Sequence, residues 1–144
     1  MTFENLKIIL TEAINELTEK DSYLLEHDVH EQAISHKLAC YIGNRIHGWN
    51  VDAEYNRNLN LPKSLSSCGR IRPDILIHRR GLNNDGDSKD NNLLIIEVKK
   101  NPSLQEREAD IKIIKAFINE YPYFYKFGAF IAFDGSAVEW LERE

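Results

Sequence analysis

Cysteine is scarce in this chain of 144 residues: Cys40 and Cys68 are the only two, far apart and in no C-x-x-C pair. That excludes a disulfide framework and a zinc knuckle, and it leaves ordinary reduced thiols of the kind the cytoplasm keeps. No apolar run approaches the roughly 20 residues needed to cross a bilayer. The first twenty residues, MTFENLKIILTEAINELTEK, lack a basic leader, a long apolar stretch and a small-residue cleavage site, so secretion is not expected. His27 and His30 stand near Glu31, but no third clustered ligand and no H-E-x-x-H accompanies them, which argues against zinc. Asp85, Asp87 and Lys89 do not form a calcium loop, because the required glycine and terminal glutamate are misplaced. Positive charge is also short overall: 18 Lys and Arg against 23 Asp and Glu give a net −5, unlike a protein that coats nucleic acid.

What is present is enough apolar residue, 42%, for one real core, and no repeat or compositional break interrupts it. A single domain spanning 1–144 and located in the cytoplasm is therefore expected. The charge is unevenly placed. Residues 57–100 carry nine Lys or Arg against five Asp or Glu, while the segments on either side are acidic. A local electropositive surface on an acidic body follows.

Periodicity orders the elements. Thr2 caps a helix over about 3–20, with Phe3, Leu6, Ile9, Leu10, Ala13, Ile14 and Leu17 recurring at three and four. Asp28 is the expected cap of a second helix running to about Ile46. "VDAEYNR" alternates as a first strand, with Val51, Ala53 and Tyr55 on one face and Asp52, Glu54 and Asn56 on the other. Pro73 opens a second strand, "PDILIHRR", and Leu93 to Lys99 form a third. A third helix starts at Pro102–Ser103, its apolar positions including Ala109, Ile113, Ile114 and Phe117, and "KFGAFIAFD" is a fourth, buried strand. "AVEWLERE" is a short last strand or a frayed tail. The aromatics between Tyr121 and Phe127 read as core packing or a dimer contact rather than a base-stacking surface.

The order α-α-β-β-β-α-β-β predicts an antiparallel meander of three strands, then a helical crossover to a parallel fourth. A mixed sheet with helices on both faces results. In that topology the start of the second strand lies beside the end of the third, so Asp74 meets Glu97 and Lys99, which share a face by period two. The first turn of the second helix, with Glu31, points back to the same corner. The loop 58–72, with Lys63, Arg70 and Arg72, sits over it. Three carboxylates at one point need a proton or a cation. Hard oxygen ligands suit Mg2+ or Mn2+, and a lysine beside such an ion can serve a water or neutralise charge on phosphate. An acid two residues before a lysine occurs three times, at Asp87/Lys89, Glu97/Lys99 and Asp110/Lys112. Only the middle pair lies on a strand with an aspartate opposite. Asp110 and Lys115 read as solvated helix surface.

Pro73-Asp74 followed by Glu97-Val98-Lys99 resembles the signature of the PD-(D/E)xK nuclease superfamily, over about residues 28–134. The resemblance implies a three-layer α/β/α restriction-endonuclease-like core, αβββαβ, with a central mixed sheet, here preceded by an extra N-terminal helix. It implies Asp74 and Glu97 as ligands of a divalent metal, Lys99 as the partner of the attacking water, and Glu31 as an added acid from the first core helix. The activity it implies is metal-dependent phosphodiester hydrolysis, with DNA the foremost substrate. Arg57, Arg70, Arg72 and Lys100 are then candidates for contacts to backbone phosphates, and a second copy of the chain is a candidate partner. The competing expectation is a catalytically inactive module of the same fold that binds nucleic acid or a protein.

Overall fold

A computed structural model describes residues 1–55, 71–80 and 90–143, together with the backbone of four two-residue strands between 57 and 70. Helix α1 (Phe3–Lys20) starts as its sequence predicts: the Thr2 hydroxyl accepts the Asn5 N–H at 3.2 Å, and Leu6, Leu10, Ala13 and Leu17 form its buried stripe. A short helix α2 (Ser22–Glu26) follows where no element was expected. Helix α3 (Glu31–Gly43) begins two residues later than an Asp28 cap would place it, with His30 as N-cap and no side-chain cap bond. Glu31 is therefore the first helical residue, with its carboxylate at the positive end of the helix dipole.

Strand β1 (Asn50–Ala53) leads to two small antiparallel ladders, β2 (Arg57–Asn58) with β3 (Leu61–Pro62) and β4 (Ser64–Leu65) with β5 (Gly69–Arg70). Strands β6 (Ile75–His78) and β7 (Asn92–Lys99), helix α4 (Leu104–Asn119), β8 (Phe127–Ala132) and β9 (Glu139–Glu142) complete the order. The five long strands form one mixed sheet, β1-β6-β7-β8-β9. Its first three strands are antiparallel, β7 and β8 are parallel, and β9 returns antiparallel to β8. The meander and the helical crossover are thus both present. The protein is a mixed α/β fold, with four helices and this five-stranded sheet among the described residues. No helix among them is long and apolar enough to cross a membrane.

The two faces of the sheet divide the core by strand alternation. Ile75, Ile77, Leu94, Ile96, Val98, Ala129 and Ile131 pack against the buried stripes of α1 and α3. Leu76, Ile95, Phe130 and Ala132 pack against Ile114, Phe117 and Ile118 of α4. Helix α4 comes so close to β8 that a Cβ on Gly128 would stand 2.2 Å from Ile114 Cγ2.

Tyr55 departs from the alternation read for the first strand. Val51 and Ala53 face the α1/α3 core, but Tyr55 lies with the α4 core, edge-on to His78 with ring centroids 4.7 Å apart. The strand ends at Ala53, and Glu54, at φ 54°, breaks the period-two pattern. Asp52 also faces α4, where its Oδ2 lies 2.7 Å from His78 Nε2 and accepts the Arg80 Nε–H at 2.7 Å. Burial pushes the Asp52 carboxyl up, but the His78 and Arg80 hydrogen bonds outweigh it and bring its pKa down to about 2.

Candidate active site

The register Ile75↔Ile96 between β6 and β7 puts Asp74, one step before β6, beside Glu97. Asp74 prolongs the ladder with its side chain, its Oδ2 accepting the Val98 N–H at 2.8 Å. The Glu97 side chain is 6% exposed and hydrogen-bonded to the Asp74 carboxyl. Burial first, then the adjacent Asp74 charge, push the Glu97 pKa well above the usual carboxylate range. When the pair carries one proton, Glu97 is therefore the donor and Asp74 the acceptor. Burial also raises Asp74, although the bonds from Glu97 and Val98 oppose it.

Lys99 follows on the same face. Burial depresses its ammonium, but the surrounding carboxylates, Asp110 and Glu31 foremost, outweigh that and raise its pKa. Its Nζ stands 3.8 Å from Glu31 Oε1 and 3.8 Å from Asp110 Oδ2. Glu31 reaches round the end of β7 from α3, and its Oε2 accepts the Lys100 N–H at 2.7 Å. Four carboxyl groups and one ammonium thus converge at the carboxyl end of β7. The Asp74, Glu97, Lys99 and Glu31 expected to meet here do meet.

Asp110 is a correction to its reading as solvated surface: the residue is 8% exposed, and burial, partly offset by Lys99, raises its pKa to about 6. Its Oδ2 is buried without a hydrogen-bond partner among the described residues. The signal was present in the sequence, because Asp110 stands four and seven residues before Ile114 and Phe117. Of the expected apolar positions Ile114 and Phe117 are buried, whereas Ala109 is exposed and Ile113 half-buried; the buried set is Asp110, Ile114, Phe117 and Ile118. The helix itself starts as expected, with a capping box between Ser103 and Glu106.

The basic candidates divide. Arg72 is exposed, two residues before Asp74. Lys100 is engaged within the protein, its ammonium donating to the His27 carbonyl and its N–H to Glu31. The side chains of Arg57, Arg70 and Lys63 lie outside the described residues. At the far end of β6, Arg79 is stacked 4.0 Å over Trp49 and Arg80 is bound to Asp52. A cleft of about 460 Å³, lined by Asp28, Val29, His30, Glu31, Lys100, Asn101 and Glu106, opens beside Glu31.

Among the described residues, no group of three or more His, Cys, Asp or Glu side chains is preformed to hold a metal ion. The donor chemistry nevertheless suits a hard cation. The Lys99 ammonium stands against four carboxyl groups, and Asp110 Oδ2 has no hydrogen-bond donor among the described residues. The acidic excess and the hard oxygen donors suit a divalent ion. No family model, curated protein or solved structure matches the chain.

Proposed function

We propose that the protein is a divalent-metal-dependent nuclease that hydrolyses phosphodiester bonds, with DNA as its foremost substrate. The observation that carries this reading is the convergence of Asp74, Glu97 and Lys99 at one end of β6 and β7, joined by Glu31 and Asp110. The succession α3, β1, β6, β7, α4, β8 is similar to the αβββαβ restriction-endonuclease-like core, and the resemblance of Pro73-Asp74 and Glu97-Val98-Lys99 to its signature supports the reading. A purely structural purpose accounts poorly for four acids at one point, since each buried charge without a partner costs several kcal/mol, roughly.

Asp74 and Glu97, with Glu31 at the mouth, would hold Mg2+ or Mn2+, and Glu97 would release its proton on doing so. Such an ion supplies Lewis-acid polarisation of a phosphoryl oxygen and neutralises its charge. Lys99, whose environment favours the ammonium, orients the attacking water and stabilises negative charge on the phosphate oxygens rather than abstracting a proton. The water oxygen bonds to phosphorus as the P–O bond to the leaving sugar oxygen breaks, the attacking water giving up a proton to solvent and the leaving oxygen taking one up from it. The acidic corner repels a bare phosphodiester, so the divalent charge is also what admits the substrate. Arg72, exposed two residues before Asp74, would hold a flanking phosphate.

The experiment is incubation with labelled single- and double-stranded DNA and RNA, in Mg2+, in Mn2+ and in chelator. Cleavage that requires the metal supports the assignment; cleavage undiminished by chelator sinks it. The second reading, a binding module without activity, is favoured by the burial of Glu97, which disfavours its carboxylate form, and by the internal engagement of Lys100. Binding of the same nucleic acids without cleavage in either metal is its signature.

A further inference from the structure

We propose that Asp110 is a positioning residue that, together with Glu31, holds the Lys99 ammonium as a built-in counter-cation, released when a divalent ion takes over the carboxylates. The inference deepens the metal-dependent nuclease reading and rests on it. Lys99 spans the end of the sheet between helices that pack on opposite faces, α3 through Glu31 and α4 through Asp110. Both contacts are 3.8 Å, beyond hydrogen-bond reach, and the Lys99 side chain is 25% exposed. They are charge pairs at a mouth open to water, weak enough individually to exchange for a stronger cation.

Asp110 makes the arrangement specific. A carboxylate kept in α4 for structure would have donors on both oxygens, yet its buried Oδ2 has none among the described residues, and Lys99 is the cation that stands beside it. Lys100 behaves differently although it is the next residue: its ammonium is fixed on the His27 carbonyl. The two lysines therefore have separate duties, one tying the segment between α2 and α3 to the end of β7 and one kept exchangeable. When a divalent cation compensates Glu31, Asp74 and Glu97, the hold on Lys99 weakens, and the amine turns towards the phosphate it serves. A site built this way withholds its lysine until the metal is in place.

The test is acylation of lysines in the full-length protein by an amine-reactive acetyl ester, read peptide by peptide by mass spectrometry, with Lys112 as the exposed internal reference. Mn2+ binding is followed in parallel by electron paramagnetic resonance. Saturating Mn2+ is expected to raise the Lys99 rate relative to Lys112 by about threefold, the shift that loss of one solvent-exposed charge pair produces. Asp110→Asn is expected to raise it by a similar factor without metal, and Asp110→Glu to return it to the wild-type value. Bound Mn2+ with an unchanged Lys99 rate overturns the exchange while leaving the metal site standing. An Asp110→Asn protein as slow as wild type overturns the role of Asp110. Failure of Mn2+ to bind overturns both this inference and the nuclease reading beneath it. Should Asp110→Asn not fold, the response of the wild-type protein to Mn2+ decides by itself.

Discussion

Asp110→Asn should make the metal-free protein more stable at neutral pH, and the structure sets the size and the pH window. The Asp110 carboxyl titrates at about 6 in the folded protein against an ordinary aspartate value of 3.8. Between those values the folded state binds the proton that the unfolded chain has lost, so stability falls as pH rises from about 4 to about 6. The full shift is worth about 3 kcal/mol. The side chain is 11% exposed at the mouth and water screens part of that, so about 1–2 kcal/mol is the expected gain for the asparagine at pH 7.5. For a chain of this size that is a rise of about 3–6 °C in Tm. Thermal unfolding in chelator, at pH 7.5 and at pH 4, is the assay. The two proteins should differ at pH 7.5 and converge at pH 4, where the aspartate is protonated. An asparagine variant less stable at pH 7.5, or displaced equally at both pH values, would refute the claim that an inadequately paired charge is buried there.

Two further predictions concern the scaffold. Gly128→Ala should destabilise the protein by about 1–3 kcal/mol in urea unfolding, because the new methyl meets the β-branched Ile114 across the α4–β8 contact; an unchanged midpoint would mean that α4 can move away at no cost. Asp52→Asn should cost about 1–3 kcal/mol at pH 7, since His78 and Arg80 lose the carboxylate that joins β1 to β6. With its folded pKa depressed to about 2, Asp52 contributes fully above about pH 4 and loses that contribution as pH falls to 2, so the deficit of the variant should shrink across that window in acid titrations of stability.

The sheet and its crossover were legible because β6, β7 and β8 have apolar residues on both faces, while the turns around them are rich in Gly, Asn and Pro. Once that order was read, the meeting of Asp74 with Glu97 and Lys99 followed from strand direction and alternation. The less legible features depend on contacts that span the sequence. Asp28 has the composition of a helix cap, but the chain enters α3 through His30, and the Glu31 carboxylate finds Lys99 and the Lys100 N–H, 68 and 69 residues away. Asp110 reads as surface because a carboxylate on a charged helix nearly always is; its burial is set by the proximity of α4 to the end of β7. Tyr55 changes face because Glu54 takes a positive φ, which a run of alternating residues does not announce. The basic candidates are the least legible, since Lys100 is drawn to His27 and the side chains of Arg57 and Arg70 lie outside the described residues.

The most direct test of the account is Mg2+-dependent DNA cleavage by the wild-type protein compared with Lys99→Ala, Glu97→Ala and the surface control Lys112→Ala, each purified identically and shown to be folded. The account predicts cleavage by wild type and control, and a loss of about a hundredfold or more in both site variants, the scale of removing a group that stabilises transition-state charge. Equal cleavage by all four proteins would contradict it and place the activity outside the corner formed by Asp74, Glu97 and Lys99.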